Sequence, residues 1–247
     1  MHTFRRIWFV SDLHLDPHHP DITNQFIELL DSSDALVEDI YLLGDVFETW
    51  IGDDEKSQFI DEITQKLHQT TQKGVRIHFM RGNRDFLVGH QFLANTGCRR
   101  LADEVKIDAY GTAVLLMHGD TLCTQDTAYL RARKFAHNKI VQTLFLWLPL
   151  SLRKKIAARA RQASAKHTGN TKTSIMDVTQ SEVERIMQKH QVNYLIHGHT
   201  HRPDIHHFNS ANQNKTRIVL PAWHGGGTVF EWREDGSKDY RPLAGKE

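Results

Sequence analysis

Five short apolar segments of this 247-residue chain are each followed at once by a polar loop rich in Asp, Asn and His. The apolar segments span residues 7–10, 39–43, 75–80, 112–117 and 194–196. Helical periodicity lies near 22–31, 55–73 and 181–190, between several of these segments. Alternating strands and helices are typical of an α/β (α+β) domain, in which the loops after the strands meet at one edge of a sheet. The sequence therefore predicts one site at which the five polar loops converge.

The polar loops carry seven side chains of the kinds that bind metal ions: Asp12, His14, Asp45, Asn83, His118, His199 and His201. Two pairs, Asp12 with His14 and His199 with His201, are spaced two residues apart, so both members face the same side of an extended segment. All seven offer oxygen or nitrogen, which favours Mn²⁺, Zn²⁺ or iron over a sulfur-bound structural zinc. Seven ligands suit two ions roughly 3.5–4 Å apart, and we assign Asp45 as the carboxylate that bridges them.

Each motif taken alone has an ordinary structural explanation. An Asp-x-His pair can arise by chance, Gly44-Asp45 can form a simple turn, and Asp85 in Gly-Asn-Arg-Asp can cap a helix. With 17 histidines in the chain, a surface cluster of histidines is also expected. Five such motifs in order, each directly after an apolar strand, are difficult to attribute to coincidence. We therefore prefer the metal-site interpretation.

The segment 122–176 interrupts this alternation and differs from the rest of the chain in charge. Between Thr127 and Met176 there are eleven Lys and Arg and no Asp or Glu, whereas the remainder carries 20 basic and 30 acidic side chains. Residues 129–148 and 151–163 predict two helices separated by Pro149, and 164–174 predict a polar loop. We interpret 1–121 and 177–247 as the core and 122–176 as a helical cap over the site.

The apolar stretch 144–150, which precedes Arg153, Lys154 and Lys155, has two explanations. It can belong to a core helix with a solvated basic end. Alternatively, it presents apolar surface to acyl chains while the basic residues face anionic lipid headgroups. The absence of acidic side chains across fifty positions favours the second explanation. We therefore expect an anionic membrane surface, and not nucleic acid, as a partner.

Other features concern location and the rest of the fold. Cys98 and Cys123 form no disulfide framework, and the apolar run near the N-terminus is too short for the core of a signal peptide. No stretch approaches the roughly 20 apolar residues of a membrane-spanning helix. We therefore expect a cytoplasmic protein. Strands are predicted near 204–208, 216–220 and 228–232, followed by a loose tail of ten residues.

The motifs resemble those of the calcineurin-like metallophosphoesterase superfamily: Asp12-x-His14, Gly44-Asp45, Gly82-Asn83-Arg84-Asp85, His118-Gly-Asp and Gly198-His199-Thr-His201. The resemblance implies a four-layer αββα sandwich with two metal ions. It implies that one ion is bound by Asp12, His14, Asp45 and His201, and the other by Asp45, Asn83, His118 and His199. Many relatives have His where this chain has Arg84. Arginine holds its proton and cannot act as a general acid, but it can clamp a second phosphate, which favours a pyrophosphate substrate.

Longer matches, including residues Asp45 to Asp54 and the basic insertion, resemble the pyrophosphohydrolases of lipid A biosynthesis that act on UDP-2,3-diacylglucosamine. The resemblance implies that water attacks the α-phosphorus, giving UMP and 2,3-diacylglucosamine 1-phosphate (lipid X), with two divalent ions, usually Mn²⁺. The implied catalytic residues are Asp45, Asn83, Arg84, His118 and His199. The implied substrate contacts are Asn83, Arg84, Asp126, Ser164 and His199, and, by position alone, Thr168 and either Thr171 or Lys172.

By the same resemblance we expect a monomer attached to the inner face of the inner membrane of a Gram-negative bacterium. Two other functions fit the residues. One is a dinuclear metal phosphodiesterase or phosphatase for a soluble nucleotide or phosphoprotein. The other is a catalytically inactive scaffold that binds nucleic acid through the basic segment. The complete ligand set favours an enzyme, and the basic, apolar insertion favours a lipid substrate.

Overall fold

The computed structural model describes residues 4–170, 177–224 and 226–243, and within these ranges all side chains except those of 167–170. The strands found there are β1 (Arg6–Val10), β2 (Val37–Leu43), β3 (Arg76–Met80), β4 (Arg99–Arg100), β5 (Glu104–Ala109), β6 (Thr112–Met117), β7 (Tyr194–His197), β8 (Asp204–Ser210), β9 (Gln213–Val219), β10 (Thr228–Arg233) and β11 (Lys238–Pro242). The α-helices are α1 (Pro20–Asp31), α2 (Gln58–Gln72), α3 (His90–Thr96), α4 (Thr127–Ala136), α5 (Lys139–Leu146), α6 (Leu150–Asn170) and α7 (Gln180–Lys189).

The strands form two sheets. In the first sheet the strand order is β11-β10-β1-β2-β3-β4, and β1 to β4 run parallel. In the second sheet the order is β5-β6-β7-β9-β8, and β6, β7 and β9 run parallel. The five apolar segments singled out in the sequence become β1, β2, β3, β6 and β7, so each site loop follows a parallel strand.

Successive side chains of a strand point to opposite faces, and here they fill different layers of the core. On β1, Trp8 and Val10 pack with residues of α1 and α2, whereas Ile7 and Phe9 pack with residues of the second sheet. On the far face of the second sheet, side chains of β6 and β7 pack against Val183, Ile186 and Met187 of α7. The order of layers is thus helices, first sheet, second sheet and helix, with an apolar layer between each layer and the next. This arrangement confirms the αββα sandwich.

The core helices bury the faces that their periodicity predicts. In α1, Pro20 occupies the first turn, where its missing N–H costs no hydrogen bond. Ile22, Phe26, Leu29 and Leu30 follow at spacings that place them on one buried face. The helices over 22–31, 55–73 and 181–190 are therefore confirmed as α1, α2 and α7, with shifted ends.

Up to residue 170, where its described part ends, the insertion contains three α-helices, and not the two that were predicted. The expected helix over 129–148 is broken because the Asn138 side chain accepts hydrogen bonds from the N–H groups of Ile140 and Val141 and so begins α5. The loop predicted for 164–174 is wrong over 164–170, where Ala and Lys favour the continuation of α6. Residues 171–174 lie outside the described ranges. No helix of the described part is long and apolar enough to cross a bilayer.

The prediction of a loose C-terminal tail is wrong for β11. This strand pairs antiparallel with β10, from Thr228 opposite Pro242 to Trp232 opposite Lys238. The Lys238 ammonium lies 4.6 Å from the centre of a Trp232 ring, and the Arg241 guanidinium lies 4.7 Å from the Trp8 ring. Cations over tryptophan faces give this polar segment contacts that an apolar pattern does not indicate.

A buried carboxylate joins β2 to β3. Arg76 donates to both oxygens of Asp39, at 2.8 and 2.6 Å, and His78 Nε2 lies 2.7 Å from Oδ1. Burial alone would raise the pKa of Asp39, but the hydrogen bonds from His78 and Arg76 outweigh it and lower the pKa below its usual value. Asp39 therefore stabilises the fold above the pKa it has in the unfolded chain. This contribution is lost as the pH falls through the lowered pKa of the folded protein.

We predict that Asp39→Asn lowers the free energy of unfolding by about 1–3 kcal/mol at pH 7, because two donors lose an ionised acceptor. The difference between variant and wild type should shrink below about pH 4, where the carboxylate of the unfolded chain protonates. Urea denaturation between pH 3 and pH 8 measures both. Asp31→Asn, which removes a solvent-exposed pair with Lys66, is the control and should cost less than about 1 kcal/mol. A loss for Asp39→Asn that is equal at all pH values would contradict the assignment.

Candidate metal centre

The five polar loops meet at the seam between the two sheets. Within the first sheet, Asp12 N donates to Gly44 O at 3.0 Å and His14 N donates to Asp45 O at 3.0 Å. Within the second sheet, Gly198 N donates to His118 O at 2.8 Å. The N–H of His199 crosses from the second sheet to Asp12 Oδ2, at 2.8 Å. All seven predicted ligands are brought together here.

Five of the seven predicted ligands have a backbone conformation that side chains other than glycine rarely adopt. The φ angles are 53° at Asp12, 50° at His14, 52° at Asp45, 68° at His199 and 56° at His201. A single residue of this kind is uncommon, and each one costs conformational energy that the surrounding structure must offset. Their concentration in three loops indicates that the backbone conformation of these loops serves to position the ligand side chains and does not serve to stabilise the fold.

One group of donors comprises Asp12, His14 and His201. His14 Nε2 and His201 Nε2 lie 3.4 Å apart, and Asp12 Oδ1 lies 3.3 Å from His201 Nε2 and 4.0 Å from His14 Nε2. Asp12 is fully buried, and its Oδ1 has no hydrogen-bond partner in the described structure. Burial would raise the pKa of Asp12, but the nearby imidazoles of His201 and His118 hold it well below its usual value. The carboxylate is therefore ionised and directed at a position suited to a cation.

The second group comprises Asp45, Asn83, His118 and His199. Asn83 Oδ1 lies 3.0 Å from His118 Nε2 and 3.1 Å from His199 Nδ1, and His118 Nε2 lies 3.7 Å from Asp45 Oδ2. Asp45 and Asp12 stand between the groups, since donor atoms of Asp12, Asp45 and His118 all lie within 4.8 Å of one another. Two donor groups joined by a central carboxylate fit a pair of divalent ions, and the partnerless Asp12 oxygen is satisfied by such an ion.

Two ligand imidazoles are oriented by acceptors on their far side. His14 Nδ1 lies 2.8 Å from Glu48 Oε2, and His118 Nδ1 donates to the Leu43 carbonyl at 2.9 Å. Such contacts fix the tautomer and direct the other ring nitrogen toward the ion. Burial lowers the pKa of His118, but the carboxylates of Asp45, Asp12 and Asp120 have the larger, opposite effect and raise the pKa to about 9. In the absence of cations the site thus holds excess negative charge that a buried imidazolium partly offsets.

Sequence reasoning missed three acidic residues that shape the site. Asp85 is buried and accepts from the N–H groups of Gly82 and Val46, so it ties two ligand loops together and does not cap a helix. Burial and the neighbouring Asp45 raise the pKa of Asp85 to about 7. Glu48 orients His14, and buried Asp120 accepts from the Tyr129 hydroxyl at 2.7 Å and pairs with Arg133 of α4. Only their position next to ligand motifs could have suggested these roles.

A cavity of about 410 Å³ reaches Asn83 of the second donor group and runs beneath the insertion. Asn83, Arg84 and Ser164 line it, together with apolar side chains of the core and of α4, α5 and α6. Asp126, predicted as a substrate contact, is buried and accepts from Tyr129 N as the cap of α4. The side chains of Thr168, Thr171 and Lys172 lie outside the described residues. Contacts of these residues with a substrate stay predictions.

Gly82 is a position at which the donor groups leave no room for added volume. A Cβ there would collide with the carboxylate and the backbone nitrogen of Asp45. We predict that Gly82→Ala lowers the bound divalent metal, measured by elemental analysis after gel filtration, to less than half of the wild-type content. Gly111→Asn is the control, because its surroundings are open and Asn tolerates its left-handed turn. Equal metal content in Gly82→Ala and wild type would refute the proposed role of this contact.

Comparison with known proteins agrees with this geometry. The calcineurin-like phosphoesterase profile matches residues 5–203. The chain is similar to the UDP-2,3-diacylglucosamine hydrolase of Photobacterium profundum, with 44% identity over 93% of this chain and 94% of that protein. It is 43% identical to the protein of that name from Vibrio cholerae, over 97% and 98% of the two chains, and 45% identical to that from Pseudomonas aeruginosa, over 94% and 97%. The chain belongs to the calcineurin-like phosphoesterase family and, within it, to the group that contains these UDP-2,3-diacylglucosamine hydrolases.

Proposed function

We propose that the protein hydrolyses the pyrophosphate bond of UDP-2,3-diacylglucosamine, giving UMP and 2,3-diacylglucosamine 1-phosphate for lipid A biosynthesis. The observation that supports this most directly is the cavity, which extends from Asn83 of the second donor group and from Arg84 into an apolar space beneath a basic insertion. In such a substrate the charged pyrophosphate suits the metal-binding residues, and the long acyl chains suit the apolar lining of the cavity. The relatives that share more than 40% of the sequence carry the name of this activity.

Two divalent ions, which we propose to be Mn²⁺, complete the site. Asp12, His14, Asp45 and His201 would hold one ion, and Asp45, Asn83, His118 and His199 the other. When bound, such ions supply a nucleophile from water at neutral pH and neutralise phosphate charge. All donors are oxygen or imidazole nitrogen, which suits Mn²⁺ but also other first-row metals.

The side chains around the centre would orient the α-phosphate for attack by water. Asn83 lines the cavity, and its Oδ1 lies 3.1 Å from His199 Nδ1, so we propose that both side chains approach the non-bridging oxygens as charge develops on them. His118 is held by the Leu43 carbonyl, so its Nε2 keeps a fixed direction. Asp45 also accepts the N–H of Arg84 at 2.8 Å, which fixes the backbone beside the reacting phosphorus.

We propose that Arg84 binds the leaving phosphate. Its backbone is fixed by Asp45, its side chain lines the cavity, and its Nη1 lies 3.7 Å from Glu48 Oε1. A guanidinium stays protonated, so it cannot donate a proton to the leaving group. It can form paired hydrogen bonds to a phosphate that departs as an anion. A residue that binds a phosphate but cannot protonate a leaving group favours a pyrophosphate substrate over an alkyl phosphoester.

The insertion would bind the lipid and a membrane surface. Phe86 of the core and Phe135, Phe145 and Ile156 of the insertion line the cavity, which suits acyl chains. On the outside, Ile140 of α5 is 71% exposed and follows Lys139 in the chain, and Trp147, which ends α5, is 78% exposed. Apolar side chains surrounded by Lys and Arg are typical of peripheral attachment to anionic membranes. We propose that the protein attaches in this way, as a monomer, to the cytoplasmic face of the inner membrane.

We predict that the purified protein with Mn²⁺ releases UMP from UDP-2,3-diacylglucosamine and incorporates oxygen-18 from labelled water into the UMP. Asp45→Asn should lower kcat by more than about 100-fold, since it removes a residue that two ions share. Asp61→Asn, an exposed carboxylate of α2, is the control. Full activity after both metals are removed, or label in the lipid phosphate instead of UMP, would contradict the proposal.

For Arg84 we predict a selective loss. Arg84→Ala should lower kcat for the UDP-lipid by about 100-fold or more, because a donor to the developing charge is removed. Hydrolysis of bis(p-nitrophenyl) phosphate, which has a single phosphorus, should fall much less. Arg84→Lys should lie between wild type and Arg84→Ala because the charge remains and the paired geometry is lost. Arg99→Ala, at an exposed arginine of β4, is the control. Equal losses with both substrates would exclude a clamp on the second phosphate.

A further inference from the structure

A third imidazole lies beside the first donor group. The ring centre of His224 is 5.5 Å from that of His14 and 5.5 Å from that of His201, and the centres of His14 and His201 are 5.3 Å apart. One ring nitrogen from each of the three histidines lies within 4.8 Å of the other two. The three rings therefore form a nearly equilateral triangle around one position.

The size of this triangle matches three imidazoles on one ion. With bonds of about 2.1 Å and angles of about 110° between the imidazoles, which four- and five-coordinate ions both allow, the ring centres lie about 3.3 Å from the ion and about 5.4 Å from one another. The same geometry places ligand nitrogens about 3.4 Å apart. His14 Nε2 and His201 Nε2 are 3.4 Å apart. Packed aromatic rings also lie about 4.5–7 Å apart, so the observation that points to a shared ion is that one nitrogen of each ring lies within 4.8 Å of the other two.

The loop that carries His224 is fixed to the core. Trp223 is fully buried, packs edge-on against Phe26, and donates from Nε1 to the Thr228 carbonyl at 3.1 Å. The Trp223 N–H donates to the Asp12 carbonyl at 3.2 Å, and Leu220 N donates to His197 O at 2.7 Å. His224 follows directly, so its backbone is held next to the first donor group while its side chain remains exposed. Its position is thus set by packing and does not require contact with a ligand.

We propose that His224 is a further ligand of the ion that His14 and His201 hold. This ion would then have three imidazoles in addition to Asp12 and Asp45, whereas the other ion has two imidazoles, an amide and a carboxylate. Imidazole-rich sites favour Zn²⁺ and iron, and oxygen-rich sites favour Mn²⁺. The two positions would therefore differ in metal preference. The inference rests on the metal centre of the proposed function and extends it by one residue.

The test compares metal binding by the wild type, His224→Ala and His224→Asp, with His68→Ala on the exposed face of α2 as the control. Metal-free protein is titrated with Zn²⁺ or Mn²⁺ against a chromophoric chelator. For His224→Ala we expect the Zn²⁺ affinity of one site to fall about 10- to 100-fold while the other stays within twofold. The loss for Mn²⁺ should be smaller. His224→Asp should retain Mn²⁺ and lose the preference for Zn²⁺.

Pulsed electron paramagnetic resonance of the Mn²⁺ protein, labelled with ¹⁵N-histidine, gives a readout independent of activity. Wild type and His68→Ala should show one class of coupled histidine nitrogen that His224→Ala lacks. Unchanged thermal unfolding of metal-free His224→Ala would show that the fold is intact. If the wild type binds two ions and His224→Ala is unchanged in affinity and nitrogen couplings, His224 is not a ligand. If the wild type binds no divalent ion, the proposed function fails together with this inference.

Discussion

The carboxylate of Asp12 joins the two sheets and leaves one oxygen for a cation. Its Oδ2 accepts from Ser11 and from the N–H of His199, which belongs to the second sheet. Its Oδ1 is buried without a hydrogen-bond partner in the described structure. A buried, ionised oxygen without a partner is costly. A cation bound at the seam between the sheets would satisfy this oxygen, so the site's chemistry and the packing of the sandwich depend on the same atoms.

This dependence explains why the loops tolerate strain. The left-handed residues at Asp12, Asp45 and His199 cost conformational energy, and the fold offsets it with bonds between loops rather than within them. Asp85 accepts from two loops at once, and its pKa is raised to about 7 because it is buried beside Asp45. A second carboxylate so close to Asp45 adds negative charge to a site meant for cations. These features lower the stability of the metal-free protein, and they hold the ligand side chains in position before a metal ion binds.

Most of the site could be predicted from sequence because each ligand motif follows an apolar strand directly, and this pattern is local. What was missed depends on tertiary contacts. Glu48 has no motif of its own, and His224 reaches the site only because Trp223 is buried against α1. The break before α5 depends on one capping side chain, Asn138, within a continuous helical pattern. β11 is polar, and it forms because its cations lie over tryptophans of other strands.

The substrate class follows from where positive charge is fixed around the cavity. Arg84 from the core and Arg161 from α6 lie 3.7 and 3.8 Å from the same oxygen of Glu48, so two guanidiniums share one carboxylate. The excess positive charge lies at the point where core and insertion meet. Since neither guanidinium can supply a proton, we propose that their charge assists a group that leaves as an anion. A phosphate leaves in this way, whereas an alcohol leaving group needs a proton. The core thus favours pyrophosphate cleavage, and the apolar wall of the insertion adds selection for a lipid.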